Sequence, residues 1–181
     1  MLFRSNFVRG DKLTLRREQK RMEADGNVQS ALYNAQRKDA SGNRTVVPVF
    51  ATAQHMFYSD TDRIVHYETN VDIKQGTERI TCDVADVYLS KDANEVDHTI
   101  AQRNVVVTQP GRRGTGDWGQ YTAADETVIL KGNPAHVEDD QGNSAGPRMT
   151  VYLRENRVVT DSANGPQSTG RIHTTHKIKK Q

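Results

Sequence analysis

A lone cysteine, Cys82, is all the thiol chemistry this chain has, so it can close no disulfide within itself and offers no cysteine cluster to zinc. In its setting, ITCDV, it reads as a small buried hydrophobe. Long apolar runs are missing as well: none approaches the ~18 residues of a membrane-spanning helix, and MLFRSNFVRG has no hydrophobic signal core. The stretch as it stands carries neither an anchor nor a secretion signal, and its start inside a strand-like segment suggests a piece of a longer protein. Charge of one sign is also lacking. The 25 basic residues face 23 acidic ones, a net +2, which argues against nucleic acid as a partner. Apolar residues make up only 34% of the 181 positions, aromatics 6%, and the mean hydropathy is −0.79. Runs such as VVVT and TVIL speak against wholesale disorder, so the shortage implies a thin core. Either the sheets are small with one wet face, or apolar surface is reserved for a guest.

What is present is a phrase that recurs. Trp118 to Val137 reads as a strand, a polar turn over Thr122 to Glu126, a second strand Val128-Ile129-Leu130, then Gly132-Asn133 and a third strand. The same cadence occurs earlier. Leu13-Thr14-Leu15, the charged turn Arg16 to Arg21 and Met22-Glu23-Ala24 lead to Gly26-Asn27. AQHMFY, turn SDTD and RIVHYE lead to Thr69-Asn70. ITCDVADVYL, turn SKDANE and VDHTIAQ lead to Arg103-Asn104. A last partial copy, RMTVYL-REN-RVVTD, follows before Gly165-Pro166. RREQKRMEA has helical propensity but no apolar stripe at helical spacing, so strands are expected there too. Asn34 to Thr45 is polar with Ser-Gly-Asn turn chemistry and is expected to be a loop. Its Arg37, Lys38 and Arg44 suit an anionic headgroup, although plain solvation accounts for them.

Asn27, Asn70, Asn104 and Asn133 each stand between two β runs. Asn and Gly tolerate positive φ, which predicts a bend or bulge at each. Period-2 alternation then places one set on an inner face: Met22, Ala24, Val28, Val65, Tyr67, Val71, Ile73, Ala101, Val105, Val107, Val128 and Leu130. The residues between them, such as Glu23, His66, Glu68, Asp72, Lys74, Gln102 and Lys131, are mostly polar. The asparagines are 43, 34 and 29 residues apart, too irregular for a strict solenoid or a solenoid-type carbohydrate binder. Short turns favour antiparallel neighbours, so roughly twelve to fifteen strands in an antiparallel meander, folded into a sandwich or jelly-roll-like trough, are expected.

Signals for chemistry are weak. Gly114-Thr115-Gly116-Asp117-Trp118-Gly119 matches G-x-G-x-x-G, but a strand and turn follow where a dinucleotide site needs a helix; a glycine-rich hairpin loop is expected instead. His173 and His176 lie in a β-type tail that would point them apart, with no carboxylate or cysteine nearby, so no metal site is expected. Nothing resembles a nucleophile elbow, and no enzyme or cofactor is indicated. Trp118 is expected to be ordinary packing, with a place at a trough rim against an acyl chain or sugar as the functional alternative.

Three stretches, YSDTDRIVHYETNVDIKQG, IAQRNVVVTQPGRRGTGDWGQYTAADETVILKGNPAHV and MTVYLRENRVV, resemble the OstA-like family, the periplasmic lipopolysaccharide-transport domains of LptA, LptC and LptD N-terminal type. The resemblance is good over 49–160 and weaker over 1–48, within one domain spanning 1–181 that ends in a basic tail at 168–181. Thr69 and Arg103 depart from the family cadence, which has glycine there. The resemblance implies an all-β, twisted antiparallel jelly roll, a V-shaped trough whose interior takes the acyl chains of lipid A. On that reading the inner-face residues named above are its lipid-binding lining. It further implies a non-enzymatic periplasmic protein without cofactor that joins other jelly-roll domains, or itself, end to end through edge strands. A β scaffold of the same fold that binds no lipid is the alternative; it should fill its core and leave no continuous cleft.

Overall fold

The computed structural model describes residues 6–33, 35–38, 43–90, 95–140, 142–155, 157–161 and 173–176. All its regular elements are strands: β1 (Phe7–Arg9), β2 (Lys12–Arg16), β3 (Arg21–Leu32), β4 (Gln36–Lys38), β5 (Arg44–Val46), β6 (Val49–Ser59), β7 (Ile64–Gln75), β8 (Glu78–Leu89), β9 (Val96–Gln109), β10 (Arg112–Thr122), β11 (Thr127–Asp139), β12 (Gly142–Tyr152), β13 (Arg157–Asp161) and β14 (His173–His176). Twelve form one sheet in the order β1-β3-β6-β7-β8-β9-β10-β11-β12-β13, with β2 also on β3 and β14 also on β12. Each of these pairings is antiparallel, and RREQKR is the expected turn between β2 and β3.

Two expectations need correction here. Within Asn34 to Thr45, β4 and β5 pair as a separate two-stranded sheet, so the segment is more than a loop. The G-x-G-x-x-G run is not a hairpin loop: all six residues lie inside β10, and the turn falls at Pro110-Gly111. The basic tail, apart from the β14 backbone, lies outside the described residues.

The bends are where the asparagines place them. Asn27, Asn70 and Asn104 have φ of 48°, 55° and 52°, and Gly26, Thr69 and Arg103 before them have 72°, 66° and 61°. Register shifts accompany them between Asp25 and Val28, between Glu68 and Val71, and opposite Arg103-Asn104 in both neighbouring strands. Two of the asparagines add a side-chain tie: Nδ2 of Asn27 donates to Asp11 and Nδ2 of Asn104 to Asp83, each at 2.9 Å. Asn133 differs. It has no positive φ; the shift between Lys131 and Ala135 occurs at a cis Asn133–Pro134 bond instead.

These bends fold the sheet onto itself. In register, Tyr67 continues the cross-strand row of Ala24 and Met56, whereas Ser30 belongs to the row of Ala51 and Ile73. Along β7, Tyr67 and Ile73 would be roughly 20 Å apart in a straight strand. Yet the hydroxyls of Ser30 and Tyr67 meet at 2.7 Å. Each long strand therefore contributes one half to each of two walls, and the inner residues of both walls form one core cluster.

Candidate binding cavity

Alternation sorts the strands into a dry inner face and a wet outer one. All twelve predicted inner residues belong to the core cluster or pack on it, as buried members or, for Met22, Val65 and Val107, as half-buried ones. The structure divides them further. Met22, Val65, Tyr67 and Ile73 line a cavity of about 430 Å³ at the β3–β8 end. Ile73, Val107 and Val128 line a constriction of about 40 Å³, and Val107, Val128 and Leu130 a pocket of about 10 Å³ farther along. Ala24, Val28, Val71, Ala101 and Val105 line none of these; they are packed between the walls, at most 2% exposed. The trough is thus open towards the N-terminal strands and closed towards the C-terminal ones. Only the larger space falls in the range of roughly 300–1,000 Å³ usual for small-molecule sites.

Closure at the far end has a local cause. Leu130 and Met149 are fully buried, and glycines at 114 and 119 let Leu130 sit against β10. A Cβ at Gly119 would come within 3.1 Å of Val105 and 3.3 Å of Leu130. So the glycines that imitate a nucleotide motif are close-approach positions in a sheet. The inward side chain of Arg112 is buried here too, 3.5 Å from Asp139.

Sequence reasoning missed most of the large cavity, naming only four of its lining residues. Met56 and Tyr58 of β6, Val87 and Leu89 of β8, and Val8 also line it. Their own alternation in HMFY and VYL was available, but the inner face was assigned only on the strands that carry an asparagine. At Cys82 to Ala85 a bulge puts Cys82, Val84 and Ala85 all in buried positions, which blurs the period. Cys82 is the expected small buried residue, its Sγ donating to the Val84 carbonyl at 3.1 Å, and burial raises its pKa to about 11.

The polar content of the large cavity is small. The Tyr58 hydroxyl donates to Asp60, and the Asn6 side-chain oxygen accepts from the Tyr33 amide. That leaves Ser30 and Tyr67, whose hydroxyls bond to each other across the walls. Burial pushes the Tyr67 phenol up to about 12, against the pull of the Ser30 hydrogen bond.

The charged groups of the long strands other than Arg112 lie mostly on the outer face. His66 is 2.6 Å from Asp86 and 3.1 Å from Glu68, and stacks on Phe57; His55 is 2.6 Å from Asp25. The His66 hydrogen bond holds Glu68 below the usual carboxylate range. Trp118 is also on this face, under the Lys131 ammonium at 4.4 Å, away from the trough. Among the described residues no group of three or more His, Cys, Asp or Glu could hold a metal ion.

At the N-terminal edge, β2 pairs only with β3 among the described residues, and its Leu13 and Leu15 oppose Ala24 and Met22 on the inner side. They are 54% and 64% exposed, so the apolar face continues past the last long strand.

Comparison with known proteins gives one sequence family and a structural likeness. The family described as "LptA/(LptD N-terminal domain) LPS transport protein" matches residues 51–157. Among solved structures, LptH of Pseudomonas aeruginosa, described as the LptA-homologous periplasmic component of the conserved lipopolysaccharide transport device, superposes with a TM-score of 0.64 at 17% identity. The match covers 72% of this chain and 95% of that one. No curated protein matches in sequence.

Proposed function

Because the chain belongs to the LptA/(LptD N-terminal domain) family of LPS transport proteins, we propose that it is a bridge unit carrying lipopolysaccharide through the periplasm, with the acyl chains in its trough. The observation that carries this reading is the apolar cavity of about 430 Å³ between the two walls. Each methylene moved from water into such a lining contributes roughly 0.8 kcal/mol, so even part of an acyl chain is held firmly. Catalysis plays no part in this reading.

The same proposal assigns the ends. Among the described residues nothing pairs with the outer edge of β2, which carries exposed inner-side leucines, or with the outer edge of β13 at the other end of the sheet. Pairing one domain's end with the unlike end of another is heterologous, so it extends the trough and closes no ring. The partners fitting such an edge are other jelly-roll domains of this kind or a second copy. A lipid-free scaffold would fill its core throughout, and the open N-terminal half favours transport over that alternative.

The test is site-specific photo-crosslinking to lipopolysaccharide. Probes at Val65 and Ile73 are expected to give adducts, and probes at the outer-face Glu68 and Lys131 none. Adducts at the outer pair with none at the inner pair would overturn the proposal.

A further inference from the structure

We infer that Ser30 and Tyr67 form a recognition point for a hydroxyl group carried on an acyl chain in the large cavity. The inference rests on the lipid-carrying reading above and adds a preference among lipids to it. Two hydroxyls supply two O–H donors. Their mutual bond of 2.7 Å uses one, and among the described residues neither hydroxyl has another hydrogen-bond partner. One donor is left over, together with lone pairs on both oxygens. Tyr67 is 6% exposed and Ser30 is half-buried, either hydroxyl can be the one that donates to the other, and both line the cavity. Elsewhere in that lining the Tyr58 hydroxyl donates to Asp60 and the Asn6 side-chain oxygen accepts from the Tyr33 amide.

The spare donor belongs to a pair that lines the cavity, and a guest that supplies an acceptor there gains a hydrogen bond. A hydroxyl fits better than a carbonyl because it both accepts and donates. Placed between Ser30 and Tyr67 it completes a ring in which each group donates to the next, and such chains of hydrogen bonds reinforce one another. A plain methylene at that point leaves the pair as it is. The pair also bridges the two walls, so a hydroxyl bound there registers the guest against both.

Displacement of a fluorescent apolar dye by dodecanoic acid and by β-hydroxydodecanoic acid tests this. The two probes have the same length and headgroup. The wild-type protein is expected to bind the hydroxylated chain roughly three- to tenfold more tightly, the worth of one net hydrogen bond. Tyr67→Phe and Ser30→Ala should each abolish the preference, read as the ratio of the two affinities within each variant; Ser30→Thr, which keeps a hydroxyl, should retain it. Equal affinity of the wild type for both probes would overturn the inference and leave the trough reading intact. A preference that survives both substitutions would place recognition elsewhere. If neither acid displaces the dye, the trough reading falls and the inference with it.

Discussion

Leu130 occupies the space that a side chain at Gly114 would need: a Cβ at Gly114 would lie 2.5 Å from Leu130 Cδ1. The two residues close the C-terminal part of the trough together. Leu130→Ala is expected to cost about 2–5 kcal/mol through lost burial and the space left behind. Gly114→Ala is expected to cost about 1–3 kcal/mol through overpacking. In the double variant the smaller residue makes room for the added methyl, so the total should fall short of the sum. Urea unfolding of the four proteins measures this; strict additivity would show that the two side chains do not compete for one space.

The bend asparagines are chosen for φ, which makes their tolerance specific. Asn70 is exposed with a φ of 55°, so its replacement changes little packing. Asn70→Val should destabilise by about 1–2 kcal/mol because a β-branched residue resists the left-handed region. Asn70→Gly should stay within about 1 kcal/mol of wild type. The same pair of substitutions at Asn133, whose φ is not positive, should not show Gly favoured over Val in this way. Chemical unfolding midpoints at both positions decide the matter.

Cys82 gives stability an alkaline limit. Its ordinary pKa is 9.0 and burial raises it to about 11 in the folded protein. Unfolded chains therefore lose the thiol proton first as pH rises. The contribution is fully present below pH 9 and is lost from there up to about pH 11. Within that window the unfolding free energy should fall by up to about 1.4 kcal/mol per pH unit from this group. Cys82→Ala should flatten that part of the profile, as read from urea midpoints measured between neutral and alkaline pH. An unchanged slope would mean that the thiol stays protonated in neither state or in both.

Much of the architecture was legible in the chain. Val65, Tyr67, Val71 and Ile73 keep a strict period of 2 on either side of Thr69-Asn70, so the inner face and its bend could be assigned together. The strands without an asparagine were harder: Met56, Tyr58, Val87 and Leu89 alternate correctly but carry no marker to set their phase. Asn133 looked like the other bends because residue type reveals a tolerance for positive φ, not its use; Pro134 beside it supplies a different geometry. The Ser30–Tyr67 contact was out of reach, since it depends on how sharply the sheet folds. So did the taper from about 430 to about 10 Å³, which is set by side chains meeting across the walls.

The row of register shifts at Asp25/Val28, Glu68/Val71, the Arg103-Asn104 step and Lys131/Ala135 runs across the sheet from one long strand to the next. Such a row is a spine. The two walls are leaves of one sheet joined along it, with no seam between separate sheets, so the strand pairing carries on from one wall into the other. Wide at the leading leaves and shut at the trailing ones, the same spine carries both spacings in one molecule.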